Sequence, residues 1–489
     1  MDRLVRALFV IFLVVAIANG VNGLESLEAI HVVLLALFSA IVYVNQCDYQ
    51  TKEGLSTLFL IQLAVLLIFV VVFIQHYAGG FGVHRTGELL ILSVLFVAIL
   101  TLHRDASQTV PATALYLVGY TVLLGIFFRH SLAHVPGSPS ATFAVSAGIL
   151  LGLFLFVVPR FASPSTFRWT IAWVSAIVVL LGLVVFLVGE YTLFGVDVGT
   201  EGTTSLPIVD RDVSILRSVY TASSTFGAVA FVGTTAALVE AHRTARSDRW
   251  LLAIGSTLLG CINAVGLYFS NSRASMLAAG VAVALYAVTV LGGRRVLPFA
   301  TVLAGIGVVS TLYGMYVGFL PIDDANRFAL WRASLGAIVD EPSMFGAGIV
   351  NTADVIAPYY ENDVTGPHNS YLSIAIRAGL VGAAAYLLLV VGSVLHGLVR
   401  VKTVDVGALV IAIGYTVHQL FEGYSLYQVG PDAVLGALVF GYLIGSLAGY
   451  AGPPSRETPL SRSVKRRVER LGFASSRRGR GANADRNRF

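Results

Sequence analysis

The chain has 489 residues, of which 56% are hydrophobic and only 12% are charged, and its formal net charge is +5. A soluble globular protein carries about 25% charged residues, so this composition excludes that class. Two cysteines also exclude a disulfide framework. The class that remains is a polytopic membrane protein, and we predict an all-α fold because the apolar segments are too long for the short alternating strands of a membrane barrel.

Apolar segments long enough to cross the ~30 Å hydrocarbon layer as helices recur along the chain. They predict a membrane helix bundle of about 12–14 transmembrane helices, because two of the fourteen segments, 87–102 and 275–292, are short. The segments are 4–20, 28–45, 55–76, 87–102, 110–128, 141–158, 169–193, 223–240, 250–270, 275–292, 296–318, 371–395, 404–421 and 432–449. No small-residue cleavage pattern follows the first of them, so we expect it to be retained as a span.

Successive loops alternate between many and few lysines and arginines. In a membrane protein, the cytoplasmic loops carry more of these residues than the outer loops. A cytoplasmic N-terminus puts most loop lysines and arginines inside, and an even number of spans then puts the C-terminus inside as well. The segment 450–489 has eleven lysines and arginines against three acids. We therefore predict a membrane domain over 1–449 and a disordered, basic cytoplasmic tail held near anionic lipid headgroups. Nucleic-acid binding is the alternative for such a tail, and we expect none.

Two predicted outer connections, 191–223 and 319–370, are longer than the others. Long loops in compact proteins are functional or disordered, which predicts an extracytoplasmic active site. Each loop holds a pair of aspartates that a hard cation could bind. The pairs are Asp210 with Asp212 and Asp323 with Asp324. Short aspartate spacings are common in polar loops, and no zinc, P-loop or dinucleotide pattern is present. We expect no metal and no cofactor.

The second loop contains a segment with helical spacing, so we predict that this outer loop is partly helical. Asn326 is suited to cap the helix. Four apolar side chains would share one helical face, namely Phe328, Trp331, Leu335 and Ile338. Helix-breaking residues follow at Pro342, Gly346 and Gly348. The pattern predicts a helix in the membrane interface, with Trp331 at headgroup level and Arg327 and Arg332 beside the apolar face.

Two outer arginines are candidates for binding a phosphate-containing substrate. Arg273 stands where one apolar segment ends and the next begins, and Arg327 opens the helix of the second loop. A guanidinium stays charged and offers paired N–H donors to phosphate, so two of them can meet the charge of a pyrophosphate leaving group without a metal. The alternative is that both side chains extend to lipid headgroups.

His368 is the candidate general base. It lies in the sequence Gly-Pro-His-Asn-Ser, ahead of a span that Asn369 or Ser370 can cap. Its ordinary pKa of about 6.5 suits proton removal from an attacking hydroxyl near neutrality. The alternative is a loop histidine that only hydrogen-bonds its neighbours. Its position at a helix N-terminus also favours anions.

Further side chains are candidates for substrate binding. His418 and Glu422, four residues apart at the outer end of a span, could orient the base, bind the acceptor or form a structural pair. Arg217 could be a third anion contact or a rim residue. Arg377 falls inside a span and needs a partner, either a substrate phosphate or a helix carboxylate. The remaining candidates are Arg332, Trp331 and Asn369.

Three motifs, taken in order, resemble the O-antigen ligase and polymerase family of membrane glycosyltransferases. They are Ser272–Arg273 at the start of a span, Arg327 with Trp331 before the turn of Pro342, Gly346 and Gly348, and His368–Asn369 with Leu372. The resemblance covers about 210–425 and departs from the family pattern at Ala274 and Arg377. It implies that 210–425 is the catalytic region.

The resemblance also implies a reaction. A glycan would move from a polyprenyl- or dolichyl-linked (pyro)phosphate carrier to a hydroxyl of a glycan, lipid or protein acceptor on the outer face of the cell membrane. The anomeric centre would be inverted without a metal, with Arg273 and Arg327 on the pyrophosphate and His368 as the base. These residues do not separate a ligase from a polymerase. The alternative is a transporter or flippase of lipid-linked oligosaccharide, which typically has paired halves and broken helices, and the sequence predicts neither.

Overall fold

The computed structural model describes residues 110–134, 148, 151–161, 163–193, 196–206, 209–319, 326–348, 352–360, 366–423 and 430–449. The first four predicted spans, half of the span at 141–158 and the basic tail at 450–489 lie outside these residues. The other predicted spans fall on helices, except that the end of the 169–193 span, Tyr191–Leu193, is a strand.

Helices dominate the described part of the chain, and we number them in chain order. They are α1 Val110–Leu132, α2 Val158–Phe161, α3 Pro164–Val188, α4 Ser223–Ala245, α5 Trp250–Phe269, α6 Arg273–Gly292, α7 Leu297–Tyr316, α8 Arg327–Asp340, α9 Thr352–Ile356, α10 Ser370–Leu387, α11 Ser393–Val399, α12 Val406–His418 and α13 Pro431–Leu447. Within the described ranges, seven helical segments are long and apolar enough to cross a membrane, and α12 and α13 are shorter apolar helices. The fold is therefore an all-α, multi-pass membrane bundle, as the composition predicts.

Helix α4 lies at the centre of the described bundle, with 83% of its most apolar stretch buried. It packs against α3, α5 and α6. Two glycines permit this close packing, because a Cβ on Gly227 would lie 2.7 Å from the side chain of Ser272, and one on Gly233 would lie 2.6 Å from that of Ser175. The contact at Gly227 holds the first turns of α4 and α6 side by side.

The segment predicted as a long loop over 191–223 contains a three-stranded antiparallel sheet. β1 Tyr191–Leu193 pairs with β2 Val196–Leu206, and β2 pairs with β3 Val209–Ser218. Valine, threonine and isoleucine favour strands and are frequent in β2 and β3. The acidic and glycine content of the segment hid this signal. The sheet is fixed to α3, because Ser218 Oγ donates a 2.7 Å hydrogen bond to the Val178 carbonyl.

A buried ion cluster joins α3, α4 and the start of α12. Arg168 donates from Nε to Glu240 at 2.7 Å and from Nη1 to Asp405 at 2.6 Å. The Arg168 and Glu240 side chains are only 4% and 1% exposed. Arg243 contacts the second oxygen of Glu240 at 2.8 Å. Within this cluster each buried charge therefore meets an opposite charge, which the low dielectric of the interior requires.

Helix α10 is interrupted at Gly379, where φ is 67° and ψ is −169°. The loop that follows α8 fills the break with backbone hydrogen bonds of 2.9–3.1 Å. They run from the N–H groups of Ala347, Gly348, Leu380 and Val381 to the carbonyls of Ile376, Arg377, Ser343 and Met344, in that order. Irregular backbone at membrane depth is tolerated where protein supplies the missing partners. The expectation of unbroken helices is therefore wrong at this position.

The close approach at this break requires glycine on both sides. A Cβ on Gly346 would lie 2.4 Å from the backbone of Arg377, and a Cβ on Gly379 would lie 2.4 Å from the backbone of Ser343 and Gly346. Both glycines also have positive φ values, which side-chain-bearing residues rarely adopt. The loop and the broken helix thus form one unit. The first part of α10 connects this unit to His368, which lies two residues before the helix begins.

Candidate functional site

A cavity of about 1000 Å³ lies between α6, α7 and α8. Its long part is apolar and runs between two helix faces, from Met276 to Val288 on α6 and from Ala300 to Met315 on α7. At 1.5 Å per residue, the α6 face alone is about 18 Å long. The shape suits an extended hydrocarbon chain lying along the two helices.

One end of this cavity is polar. Arg273, the first residue of α6, and Arg327, the first residue of α8, both line it together with Glu422. Ser223 and Ser224, at the start of α4, line the same end. Two guanidinium groups therefore stand at the head of an apolar groove. This distribution complements a lipid phosphate, which has an anionic head and an apolar tail.

A chain of hydrogen bonds positions the turn that carries Arg273. Ser272 caps α6, because its Oγ accepts from the Ser275 N–H at 3.3 Å. The hydroxyls of Ser272 and Ser275 lie 2.8 Å apart, and Ser275 Oγ lies 2.8 Å from His418 Nε2. His418 is only 1% exposed and lies outside the cavity lining. It connects α12 to the start of α6 and so supports the position of Arg273.

Arg327 is loosely paired with Glu422. The distance from its Nη2 to Glu422 Oε1 is 3.8 Å, which is longer than a hydrogen bond. The guanidinium carbon also lies 5.8 Å above the ring of Phe421. Burial raises the pKa of Glu422 to about 7, although Arg327 acts in the opposite direction. This carboxyl therefore changes charge close to neutral pH, and the net charge at the polar end changes with it.

His368 is outside the cavity lining, in the loop beside the polar end, where the charge of Arg327 acts on it and a Cβ on Gly423 would lie 3.7 Å from its Cα. Its backbone is left-handed, with φ at 44°, which is uncommon for a side-chain-bearing residue. Trp331 holds the preceding residue, because its Nε1 donates to the Pro367 carbonyl at 3.0 Å. Burial lowers the pKa of His368 below its ordinary value, and the charge of Arg327 lowers it further. The imidazole is therefore neutral at pH 7, which is the form a general base needs.

Asn369 caps α10, as the sequence predicts. Its Oδ1 accepts from the N–H groups of Tyr371 and Leu372 at 2.9 and 3.1 Å. Its Nδ2 donates to the Leu420 carbonyl at 3.0 Å, and Ser370 Oγ donates to the Glu422 carbonyl at 2.7 Å. These bonds tie the loop of His368 to the loop of Glu422. Asn369 thus acts on the position of two candidate residues.

The helix predicted in the second loop is present as α8, but two details of the prediction are wrong. Asn326 has a left-handed backbone, and its side chain does not cap the helix. The buried face consists of Leu330, Ala333, Ser334 and Ala337. The four residues of the predicted apolar face are divided: Ile338 packs against the buried face, Phe328 and Trp331 line the cavity, and Leu335 is 52% exposed. Leu330 and small side chains pack on the protein, and the two aromatic rings face the cavity.

Arg217 and Arg332 lie outside the cavity lining. Arg217 donates to the carbonyls of Thr200 and Tyr220 at 3.1 and 2.9 Å, so it connects β3 to β2 and to the start of the following turn. Arg332 is exposed and donates to the hydroxyl of Tyr316 at 3.1 Å. Both arginines therefore have protein contacts that account for their positions.

Arg377 lies in the first half of α10, outside the cavity lining. Its Nε and Nη1 atoms are buried, and no described residue hydrogen-bonds them. The side chains of Asp210 and Asp212, and the whole of Asp323 and Asp324, lie outside the described residues. The structure thus describes no ligand set at either aspartate pair.

Several residues at the polar end are not apparent from the sequence motifs. Glu201 extends from β2 and accepts a 2.6 Å hydrogen bond from the Ser223 N–H, so the sheet caps α4 beside the cavity. Ser224 hydrogen-bonds Glu422, and the negative charge of Glu201 contributes to the raised pKa of Glu422. The Ser-Ser pair at the start of a span was the available signal, since such residues favour helix N-termini.

Comparison with known proteins supports the resemblance. Residues 256–387 match the family model of O-antigen ligase. The match includes Arg273, Arg327 and His368 and is narrower than the region 210–425 that the motifs indicated. It confirms the likeness to the O-antigen ligase family and, at family level, supports a membrane glycosyltransferase of the ligase or polymerase type. No curated protein matches the chain.

Proposed function

We propose that this protein transfers a glycan from a polyprenyl-(pyro)phosphate carrier to an acceptor hydroxyl. The observation that carries the proposal is the cavity, in which Arg273 and Arg327 stand at the polar end of a groove of lipid dimensions. The prenyl chain would lie between α6 and α7. The pyrophosphate would lie between the two guanidinium groups.

The two arginines account for departure of the pyrophosphate. Charge develops on the bridging oxygen as its bond to the sugar breaks, and fixed donors that meet this charge lower the barrier. Each guanidinium offers paired N–H groups and stays charged at any relevant pH. The arginines would thus supply the stabilisation that a divalent cation supplies in other sites.

His368 would activate the acceptor. Its neutral imidazole accepts the hydroxyl proton while the hydroxyl oxygen forms a bond to the anomeric carbon. The bond between that carbon and the phosphate oxygen breaks, and the electron pair leaves with the pyrophosphate. A single displacement of this kind inverts the anomeric centre. The lowered pKa of His368 keeps it available as a base near neutrality.

Glu422 would adjust the charge at the same place. In its ionised form it faces Arg327 and weakens the pull of that arginine on a phosphate. A pyrophosphate entering the site would add negative charge and favour protonation of Glu422, whose pKa is already about 7. We infer that donor binding is accompanied by proton uptake at this carboxyl.

The distribution of basic residues supports an extracytoplasmic site. The helix ends opposite the cavity's polar end carry Arg243, Arg246, Arg249, Arg294, Arg295, Arg400 and Lys402. Cytoplasmic loops hold the excess of such residues. In this orientation His368 and both arginines would lie on the outer face of the cell membrane, where a glycan, lipid or protein acceptor would be available.

A reconstituted reaction tests the proposal. Purified protein is given a lipid-linked oligosaccharide and a hydroxyl acceptor, and product formation and donor binding are measured. We expect His368→Ala to abolish transfer while donor binding is retained, and the exposed His134→Ala to behave like the parent. Full activity of His368→Ala would show that the base is another group.

The alternative, a flippase of lipid-linked oligosaccharide, gains some support from the break in α10, since transporters have broken helices around their substrate sites. However, loop residues fill this break, and Gly379 lies outside the cavity lining. Reconstituted vesicles separate the two functions. Translocation of the donor without formation of a glycosidic bond would favour the flippase.

A deletion strain separates the two enzyme types, which differ in their acceptor. Mass spectrometry of surface glycans would show single attached units without long chains if the protein is a polymerase. It would show no attached chains at all if the protein is a ligase.

A further inference from the structure

We propose that the turn between α6 and α7 binds the phosphate of an anionic phospholipid headgroup. This turn is far from the glycan-transfer site, because α6 has 20 residues and therefore separates Arg273 from Gly292 by about 30 Å. The proposal stands independently of the function assigned to the other end.

The turn contains a second cavity of about 480 Å³, lined by Gly292, Gly293, Arg294, Arg295 and Lys402. Three of these residues are cations and the other two are glycines, so the described residues of the lining include no carboxylate. A Cβ on Gly293 would meet no atom within 4 Å, so the cavity is open to an approaching headgroup at this residue. The composition therefore favours an anion.

The cations are brought together from two segments of the chain. Arg294 Nη1 donates to the carbonyls of Lys402 and Val404 at 3.1 and 3.3 Å, which fixes the loop before α12 against this turn. Arg295 and Lys402 are exposed beside it. The nearby carboxylate of Asp405 is held by Arg168 at 2.6 Å and also interacts electrostatically with Arg294, so the positive charge available to a ligand belongs mainly to Arg295 and Lys402.

The backbone adds to this positive charge. A 3₁₀ turn at Arg294–Val296 leads directly into α7, and no side chain caps the start of either element. The first N–H groups of a helix lack intrahelical partners and carry a partial positive charge. An anion at this turn would meet the partial positive charge of the helix dipole as well as the three side chains. The first N–H groups of α7 take no part, because that of Leu297 donates to the Arg294 carbonyl and Pro298 has none.

The adjacent surface indicates that the anion belongs to a lipid. Phe299, Val302, Ile306 and Val309 on α7 are between 57% and 66% exposed. Their spacing of three or four residues places them in one stripe along the helix, beginning beside the turn. A phospholipid would place its phosphate among the cations and its acyl chains on this stripe. Inorganic phosphate would use the turn alone.

Native mass spectrometry of the full-length protein in a neutral detergent tests the proposal. The protein is titrated with short-chain phosphatidylglycerol, with phosphatidylcholine of the same chain length, and with inorganic phosphate. The test variant is Arg295→Gln with Lys402→Gln. The control variant, Arg246→Gln with Arg249→Gln, removes two exposed arginines from another turn at the same end of the bundle.

We expect the parent to bind phosphatidylglycerol in preference to phosphatidylcholine, and the test variant to bind it about thirtyfold more weakly, since each cation near a membrane surface contributes about 1 kcal/mol. The control variant should keep the parent affinity. If the test variant binds phosphatidylglycerol as tightly as the control variant, the proposed site is wrong. If equimolar inorganic phosphate displaces the lipid, the site binds phosphate and its assignment to a lipid is wrong. An unchanged unfolding midpoint without lipid shows that the test variant is folded.

Discussion

Arginine is used differently at the two ends of the described bundle. At the end of the bundle where α12 begins, Arg168 is 4% exposed and makes hydrogen bonds of 2.7 and 2.6 Å to two carboxylates. At the cavity end, Arg327 is 25% exposed, and its nearest carboxylate oxygen is 3.8 Å away. The first arginine completes a set of interactions within the protein. The second is held in place by the start of α8 and by an aromatic ring, and it can still bind an anion.

The comparison suggests how one bundle combines stability with function. A buried charge whose partner is removed destabilises the protein strongly, so Arg168 and Glu240 depend on each other. A charge that is only partly paired contributes less to folding and keeps its capacity for a ligand. We therefore expect the loss of Arg168 to lower mainly the stability of the protein, and the loss of Arg327 to lower mainly its rate of reaction.

The largest effect is expected from Arg168→Leu. It leaves Glu240 buried without its main partner and should lower the free energy of unfolding by about 3–5 kcal/mol. Chemical denaturation in detergent measures this loss. Adding Glu240→Leu should restore part of the stability, because the uncompensated charge is then removed. A single variant as stable as the parent would contradict the structural role of the cluster.

Arg327→Gln should affect the reaction instead of the fold. Loss of one donor to a developing negative charge lowers turnover by about 10²–10³-fold. Steady-state rates with a lipid-linked donor measure the effect, and the unfolding midpoint should change little. The exposed Arg249→Gln, at the other end of the bundle, is the charge-matched control. If the Arg327 variant loses stability but keeps its rate per folded molecule, Arg327 has a structural role like that of Arg168, and the difference between the two arginines does not hold.

Gly379→Ala tests the unit that connects the cavity end to the rest of α10. The new Cβ would lie 2.4 Å from backbone atoms at a positive φ, so we expect a loss of about 3 kcal/mol or more in unfolding free energy. Gly305→Ala on α7 is the matched control, since its Cβ meets open space within a helix. We expect the control to be neutral or slightly stabilising. A Gly379→Ala protein with parental stability would show that the segments can move apart.

Trp331→Phe should have a smaller effect. It removes the 3.0 Å hydrogen bond to the Pro367 carbonyl and keeps an aromatic ring in the cavity lining. A neutral hydrogen bond contributes about 0.5–1.5 kcal/mol, so we expect turnover to fall by about two- to tenfold through misplacement of His368. If donor affinity falls while turnover is unchanged, Trp331 acts on the donor and not on the base.

The smallest effect concerns pH. Because burial and Arg327 lower the pKa of His368, activity should persist below the ordinary histidine value of about 6.5 and fall only as the imidazole becomes protonated at lower pH. Arg327→Gln removes one cause of the shift, so its residual activity should fall at a higher pH than that of the parent. Rate profiles between pH 4 and 8 would show the difference. Identical profiles would mean that the titrating group is not close to Arg327.

Local signals explain what could be predicted. The serine before Arg273, the asparagine after His368 and the long apolar segments act through neighbouring residues, so helix starts and spans could be read directly. The cap at Asn326 failed because this residue has a left-handed conformation in which its side chain does not cap the helix. The contact of Gly346 with Gly379 joins distant segments and leaves no pattern in either. The shape of the cavity likewise depends on how α6, α7 and α8 are placed, which periodicity does not determine.

The exposure of α7 has a consequence for how the reaction depends on concentration. Only 6% of the most apolar stretch of the Arg294–Tyr316 segment is buried, although one side of α7 walls the cavity. Under the proposed function, a carrier can then arrive sideways by diffusion within the leaflet, without leaving the bilayer. The rate would follow the mole fraction of carrier in the membrane, and diluting the vesicles with buffer would leave it unchanged.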